Sequence, residues 1–333
     1  MTPNLLTTHA CGLAITVFAF FALLPSAAFC NDIEKSTDQA PHEDIFDKSR
    51  DAIGDAYINL ADRVDLFVSR RDYARNRNNS RLALSLGNTW FEGGDQEYDI
   101  KLRTRVDLPG TEEKFKLFFE SDPDEGKSLA DRNRSVARND RVTRSQSVAG
   151  IEYSKPTEPD RWKHSGSVGG NYNEGIDLLL RYRLRRYWQV GEDTTFLFRQ
   201  DLWHKSSVGW GETTHLELTK PLKSYLWLNV TAELEVRDHD KPMEYANIWR
   251  MDHQLTDQWS LTYKLGLLGE SDEDDNNHLF DDRFISTTLG YTLDRRWVSI
   301  YFTPEIYYPE DSDYKPEYSF TLTCSLQFTD DKN

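Results

Sequence analysis

Tyr318-Ser-Phe-Thr-Leu-Thr-Cys-Ser-Leu-Gln-Phe328 is apolar at every second position. Tyr318, Phe320, Leu322, Cys324, Leu326 and Phe328 alternate with Ser319, Thr321, Thr323, Ser325 and Gln327. In an extended chain successive side chains leave opposite faces, so this segment has one face fit for hydrocarbon and one fit for water. Its length suits a tilted strand crossing a bilayer, which takes roughly 9–11 residues.

The pattern repeats upstream. From Arg81 onward it predicts fourteen strands: 81–91, 97–108, 114–121, 145–154, 163–173, 176–188, 194–203, 211–220, 224–236, 244–255, 259–269, 283–293, 297–307 and 317–328. After even strands the connections are mostly short and turn-like: Pro109-Gly110, Lys155 to Pro159, Gly191 to Asp193, Lys220 to Lys223, Thr256 to Gln258 and Asp294 to Arg296. After odd strands several are longer and charged: 122–144, 204–210, 237–243, 270–282 and 308–316. Short turns at one end and long loops at the other mark membrane barrels. Asn173-Glu-Gly175 is a tight exception on the long-loop side. Trp162, Trp188, Trp259 and Trp297 fall at the short-turn end, and Trp90 and Trp203 at the other, as two interfacial girdles require.

An aromatic at the end of the last strand, with alternating apolar residues before it, resembles the closing strand of Gram-negative outer-membrane β-barrels. The resemblance covers roughly Arg81 to Phe328 and extends to porin-like channels at the level of architecture. It implies an all-β, antiparallel transmembrane barrel of about 14 strands, within a range of about 12–16, in the cell outer membrane. It also implies membrane lipid and lipopolysaccharide as surroundings, barrel-assembly machinery reading the C-terminal strand, and possible oligomers. Thr329 to Asn333 departs from the pattern as a short polar tail.

Residues 1–30 read as an export signal: an apolar run from Gly12 to Leu24, then Pro25-Ser-Ala-Ala-Phe-Cys30. Cleavage after Ala28 or Cys30 fits a small-x-small rule, although no Lys or Arg precedes the core. Residues 31–80 form a polar linker and an amphipathic periplasmic helix, with Ile53, Tyr57, Leu60, Val64 and Phe67 on one face. After cleavage Cys324 is the one cysteine expected in the barrel, which excludes a disulfide scaffold. The formal net charge of −16 argues against nucleic acid as a partner.

Alternation assigns a lumen face. Lys101, Arg103 and Arg105 share it with Asp107, and Lys116 shares it with Phe118 and Glu120. Arg181, Arg183 and Arg185 lie on one face of their strand, and Arg199 lies beside Asp201 on the next. On a lipid face near mid-bilayer such charges cost about 2–4 kcal/mol each, so they must face inward. These eight cations are the candidate selectivity residues of a pore for small anionic solutes, because rings of Arg or Lys favour anions. The loop after strand three adds Lys127, Arg132, Arg134, Arg138, Arg141 and Arg144 and is a candidate inward-folded constriction. The competing reading pairs the arginines with Glu217, Glu233, Glu235 and Asp252 across a closed lumen.

Other chemistry is sparse. Glu270 to Asn277 is rich in carboxylates but lacks the EF-hand glycine and terminal glutamate, and reads as a solvated acidic tip. His204, Ser206, Ser207 and His215 are the minimum for an outer-membrane lipid hydrolase, without a nucleophile motif around them. No catalytic, metal or cofactor residue is assigned. A non-conducting structural or adhesive barrel, with its helix docking a partner, is the third class.

Overall fold

The computed structural model describes residues 54, 55, 57, 59, 63, 80–108, 111, 114–134, 147–155, 161–172, 176–238, 242–271, 280–294 and 297–329. The expected signal segment, the tail beyond Thr329 and most of the expected N-terminal helix lie outside them. Gly54, Asp55, Tyr57, Asn59 and Arg63 are helical, and the Tyr57 hydroxyl lies 3.1 Å from the backbone oxygens of both Arg81 and Arg105, to one of which it donates its single proton.

Fourteen antiparallel strands close into one barrel. They are β1 (Arg81–Phe91), β2 (Gln96–Asp107), β3 (Phe115–Glu120), β4 (Val148–Ser154), β5 (Lys163–Tyr172), β6 (Ile176–Val190), β7 (Thr194–Lys205), β8 (Gly209–Lys223), β9 (Leu226–Arg237), β10 (Met243–Gln254), β11 (Trp259–Ser271), β12 (Asp282–Thr292), β13 (Val298–Tyr308) and β14 (Glu317–Thr329). Each strand pairs with its sequence neighbours, and β14 closes on β1 from Arg81↔Thr329 to Phe91↔Ser319. One short helix, α1 (Leu129–Asn133), interrupts the β3–β4 connection.

The register carries the alternation around the ring. Leu86 lies opposite Ile100 and Cys324, Phe302 opposite Leu289 and Leu322, and Trp249 opposite Val230 and Leu265. All of these face outward, and many are well exposed, which suits a wall whose outer solvent is hydrocarbon. Closure satisfies every strand edge, the condition for β-structure in lipid. Aromatic pairs gird both ends: Trp162–Trp188 at 5.6 Å, Trp259–Tyr291 at 4.6 Å and Trp297–Phe328 at 5.9 Å at the short-turn end, and Trp90–Phe320 at 4.9 Å at the other.

Three sequence expectations are corrected. Trp203 faces the lumen and not a girdle: it is 2% exposed, and its ring covers Gly211, where a Cβ would come within 2.1 Å of it. Its parity with Arg199 and Asp201 required this. Residues 204–210 are no long loop, because β7 and β8 run on to a tight turn closed by Val208 N–H donating to the Lys205 oxygen at 2.9 Å. Residues 220–223 are not a turn but the end of β8, with a bulge between Pro221 and Lys223. A bulge accommodates the N–H that proline lacks.

Candidate pore lining and inserted loop

The first part of the β3–β4 connection, up to Arg134, enters the barrel. Ser128 caps α1 by accepting from Asp131 N–H at 3.0 Å, which orients Leu129 toward the far wall. There Leu129 joins Ala246, Ile248, Leu268, Phe284 and Tyr307, all on the inner faces of β10 to β13, in a buried apolar cluster. Gly266 allows it: a Cβ there would lie 1.9 Å from the Phe284 ring. An apolar patch inside a water-facing lumen is unusual, and α1 covers it.

Charges fix the rest of the insert. Arg134 donates to Glu305 at 2.9 Å and its guanidinium stacks 3.4 Å above the Tyr307 ring. Arg132 pairs with Glu235, and Asn133 donates to Glu233 at 2.9 Å. Lys264 donates to the Asn133 oxygen. Arg237 binds Glu235 and Glu244 at 2.7 Å each and the Lys127 oxygen at 2.5 Å. Glu235 and Glu305 are each 1% exposed. Buried carboxylates of this kind persist only when paired and hydrogen-bonded.

The eight candidate cations all face the lumen, as alternation requires, but they separate into groups. Arg181 binds Glu125 of the insert at 2.5 Å and Glu120 at 3.4 Å. Arg183 makes a bidentate pair with Asp201, at 2.7 and 2.8 Å. Arg199 reaches Asp201 at 3.4 Å and Glu233 at 3.6 Å. These three are held by acids, as the competing reading had it, although Asp201, Glu120 and Glu125 were not its partners. Lys101 lies 2.8 Å from Asp99, Arg103 3.5 Å from Asp124, Arg105 2.6 Å from Glu152, and Lys116 3.3 Å from Asp107. The Arg103 side chain is 57% exposed, so its pair is water-screened. Arg185 has no carboxylate partner among the described residues.

The register also exposes a row that strand-by-strand reading missed. Lys163 lies opposite Arg185, Arg185 opposite Arg199, and Arg199 opposite His215. Four basic groups thus stand side by side on β5 to β8. The next position, Glu233, accepts from His215 Nδ1 at 2.8 Å if that nitrogen carries the proton. Lys163 has the same parity as Ser165 and Ser167, which was the available signal.

The hydrolase candidates are not assembled. Ser206 and Ser207 both donate to Asp177, at 2.9 and 2.8 Å. His204 packs outward, tilted against Trp210 at 4.7 Å, and His215 is inside. Among the described residues no cluster of metal-ligating side chains is present, and 272–277 of the acidic tip lie outside them.

No family profile and no curated protein match the chain. Solved structures that resemble it include the NanC porin, at 10% identity over 73% of this chain and 98% of that one, with a TM-score of 0.40. The KdgM porin in complex with disordered oligogalacturonate is 7% identical over 73% and 98%, with a TM-score of 0.37. The outer membrane channel DcaP of Acinetobacter baumannii is 8% identical over 75% and 97%, with a TM-score of 0.44. Likenesses at this level carry no argument about role. Closed ring, outward apolar face, inward charge and paired aromatic girdles give this protein the architecture of a 14-strand transmembrane β-barrel.

Proposed function

We propose that the barrel is a passive channel for small polar, anionic solutes. The observation that carries this reading is Lys163 opposite Arg185, two lumen cations without a carboxylate partner among the described residues, next to Arg199 and His215, which acids already hold. Like charges directly opposite one another destabilise a sheet. An anion in the lumen relieves that repulsion, and a low-dielectric wall strengthens the attraction. Lys101, Arg103 and Arg105 support the same field from β2, where they stay accessible to water.

The test is single-channel recording of refolded protein in a planar bilayer under a salt gradient. The expected result is steady conductance with a reversal potential displaced toward anions, and a smaller displacement for Arg185→Ser. A cation-selective wild type overturns the reading. A second reading, a non-conducting barrel, is favoured by the insert and its sealed contacts with β10 to β13. Silence from correctly folded, heat-modifiable protein selects it.

A further inference from the structure

Most of the outer wall is uncharged. Charged side chains that face outward from the described strands are Arg186 and Glu212, with Lys220, Lys223 and Arg283 beside the rims. Glu212 is answered by Gln200, which donates to it at 2.6 Å. Arg283 lies over the Tyr314 ring at 5.1 Å. Arg186 has no acidic partner among the described residues, and its buried Nε donates to no protein acceptor. Its guanidinium sits 5.0 Å from the Trp188 ring and 5.6 Å from the Trp162 ring. Those two indoles meet edge-on at 5.6 Å and belong to the short-turn girdle. A cation beside two tryptophans at a headgroup level, with no acidic partner among the described residues, suits an anion of the membrane itself.

A second feature lies above it on the same strands. Gly166 stands opposite Tyr182 and Tyr153, and its missing side chain opens an outward groove of about 530 Å³. Val168, Leu180, Leu202 and Ile151 line it. From Gly166 the wall descends through His164 and Leu184 to Trp162 and Arg186, that is, from the apolar band toward the short-turn rim. Phosphate at Arg186 with an acyl chain directed up into the groove has the polarity of a lipid in the leaflet on that side. Lipopolysaccharide in the opposite leaflet would place its phosphates at the other rim, away from Arg186.

We infer that Arg186, Trp162 and Trp188 hold the phosphate of a phospholipid in the periplasmic leaflet, with one acyl chain lying in the groove at Gly166. The assignment rests on the outer wall and is independent of whether the lumen conducts.

Native mass spectrometry of the full barrel, released from detergent with added phosphatidylglycerol, tests it. The expected result is one phospholipid retained per barrel, bound roughly tenfold more weakly by Arg186→Gln, the loss that removing a charge-assisted hydrogen bond produces. Arg186→Lys recovers part of the affinity, and Gly166→Leu, which fills the groove, weakens binding while leaving the arginine in place. Arg283→Gln leaves phosphatidylglycerol binding unchanged. Equal retention by wild type and Arg186→Gln overturns the assignment, as does exclusive retention of lipid A over phosphatidylglycerol. Heat-modifiability on a gel verifies that each variant is folded. If Arg186→Gln fails to fold, Gly166→Leu and Arg186→Lys decide it, and unchanged retention by both overturns it.

Discussion

The two sides of the lumen use charge in opposite ways. On β9 to β13, Glu235 and Glu305 are buried and pair with Arg132 and Arg134 of the insert, around an apolar cluster centred on Leu129. On β2 and β5 to β7 the pairing is incomplete: Arg181, Arg183 and Arg199 are held by acids, but Arg103 stands largely in water and Arg185 stands beside other cations with no carboxylate partner among the described residues. The first side is a protein core placed inside a barrel. The second is a charged wall facing the lumen. Arginine content alone does not distinguish them: what differs is whether an acid lies within reach and whether water is excluded.

The largest expected effect comes from breaking the first side. Arg134→Ala removes one partner of the buried Glu305 carboxylate, and breaking a buried pair costs up to about 3–5 kcal/mol. Urea unfolding of the refolded barrel should show a lowered midpoint, and Arg134→Leu with Glu305→Leu should recover much of it. An unchanged midpoint for Arg134→Ala would mean that water or the other contacts of Glu305 already meet its charge. Next comes Leu129→Ala, which removes the knob from its apolar seat at a cost of about 2–5 kcal/mol. The insert should then become cleavable by added protease near Gly126 while the strands stay protected.

On the second side the readout moves from stability to selectivity. Arg185→Ser should reduce the anion preference, whereas Arg181→Ser, whose charge is already met by Glu125 and Glu120, should change it less and loosen the insert instead. Equal shifts from both would erase the distinction drawn here. The smallest effect is expected from Arg103→Ser: its pair with Asp124 is exposed, so unfolding should move by under about 1 kcal/mol, with any change confined to conductance.

The sequence disclosed the wall far better than its contents. Period-two alternation is local, so the strand count, the parity of Arg181 to Arg185 and the closing strand could be read without knowing any partner. The errors lie where parity and turn chemistry compete. Trp203 was assigned by its nearness to a strand end, when its parity already placed it inside. Pro221 suggested a turn, but a bulge lets the strand continue through it. The site was only half legible. That Arg183 meets Asp201, or that Lys163 lines up with Arg185, depends on register between strands, which no single strand displays. The acids that hold Arg181 come partly from an insert whose path is set by Leu129 finding a patch assembled from four distant strands.

The seam has a consequence for how such a protein changes over evolutionary time. Arg81 pairs with Thr329, so both ends of the barrel meet at one rim. Gain or loss of a whole hairpin keeps them together, while gain of a single strand would send one end to the opposite side of the membrane. Diameter, which grows roughly linearly with strand number, can therefore change without moving either end only in steps of two strands. The hairpin of β3 and β4, with strands of 6 and 7 residues, is the shortest unit in the ring and carries the insert. Its deletion would narrow the wall and empty the interior in one event, which makes it the natural place to look for relatives with twelve strands and an open bore.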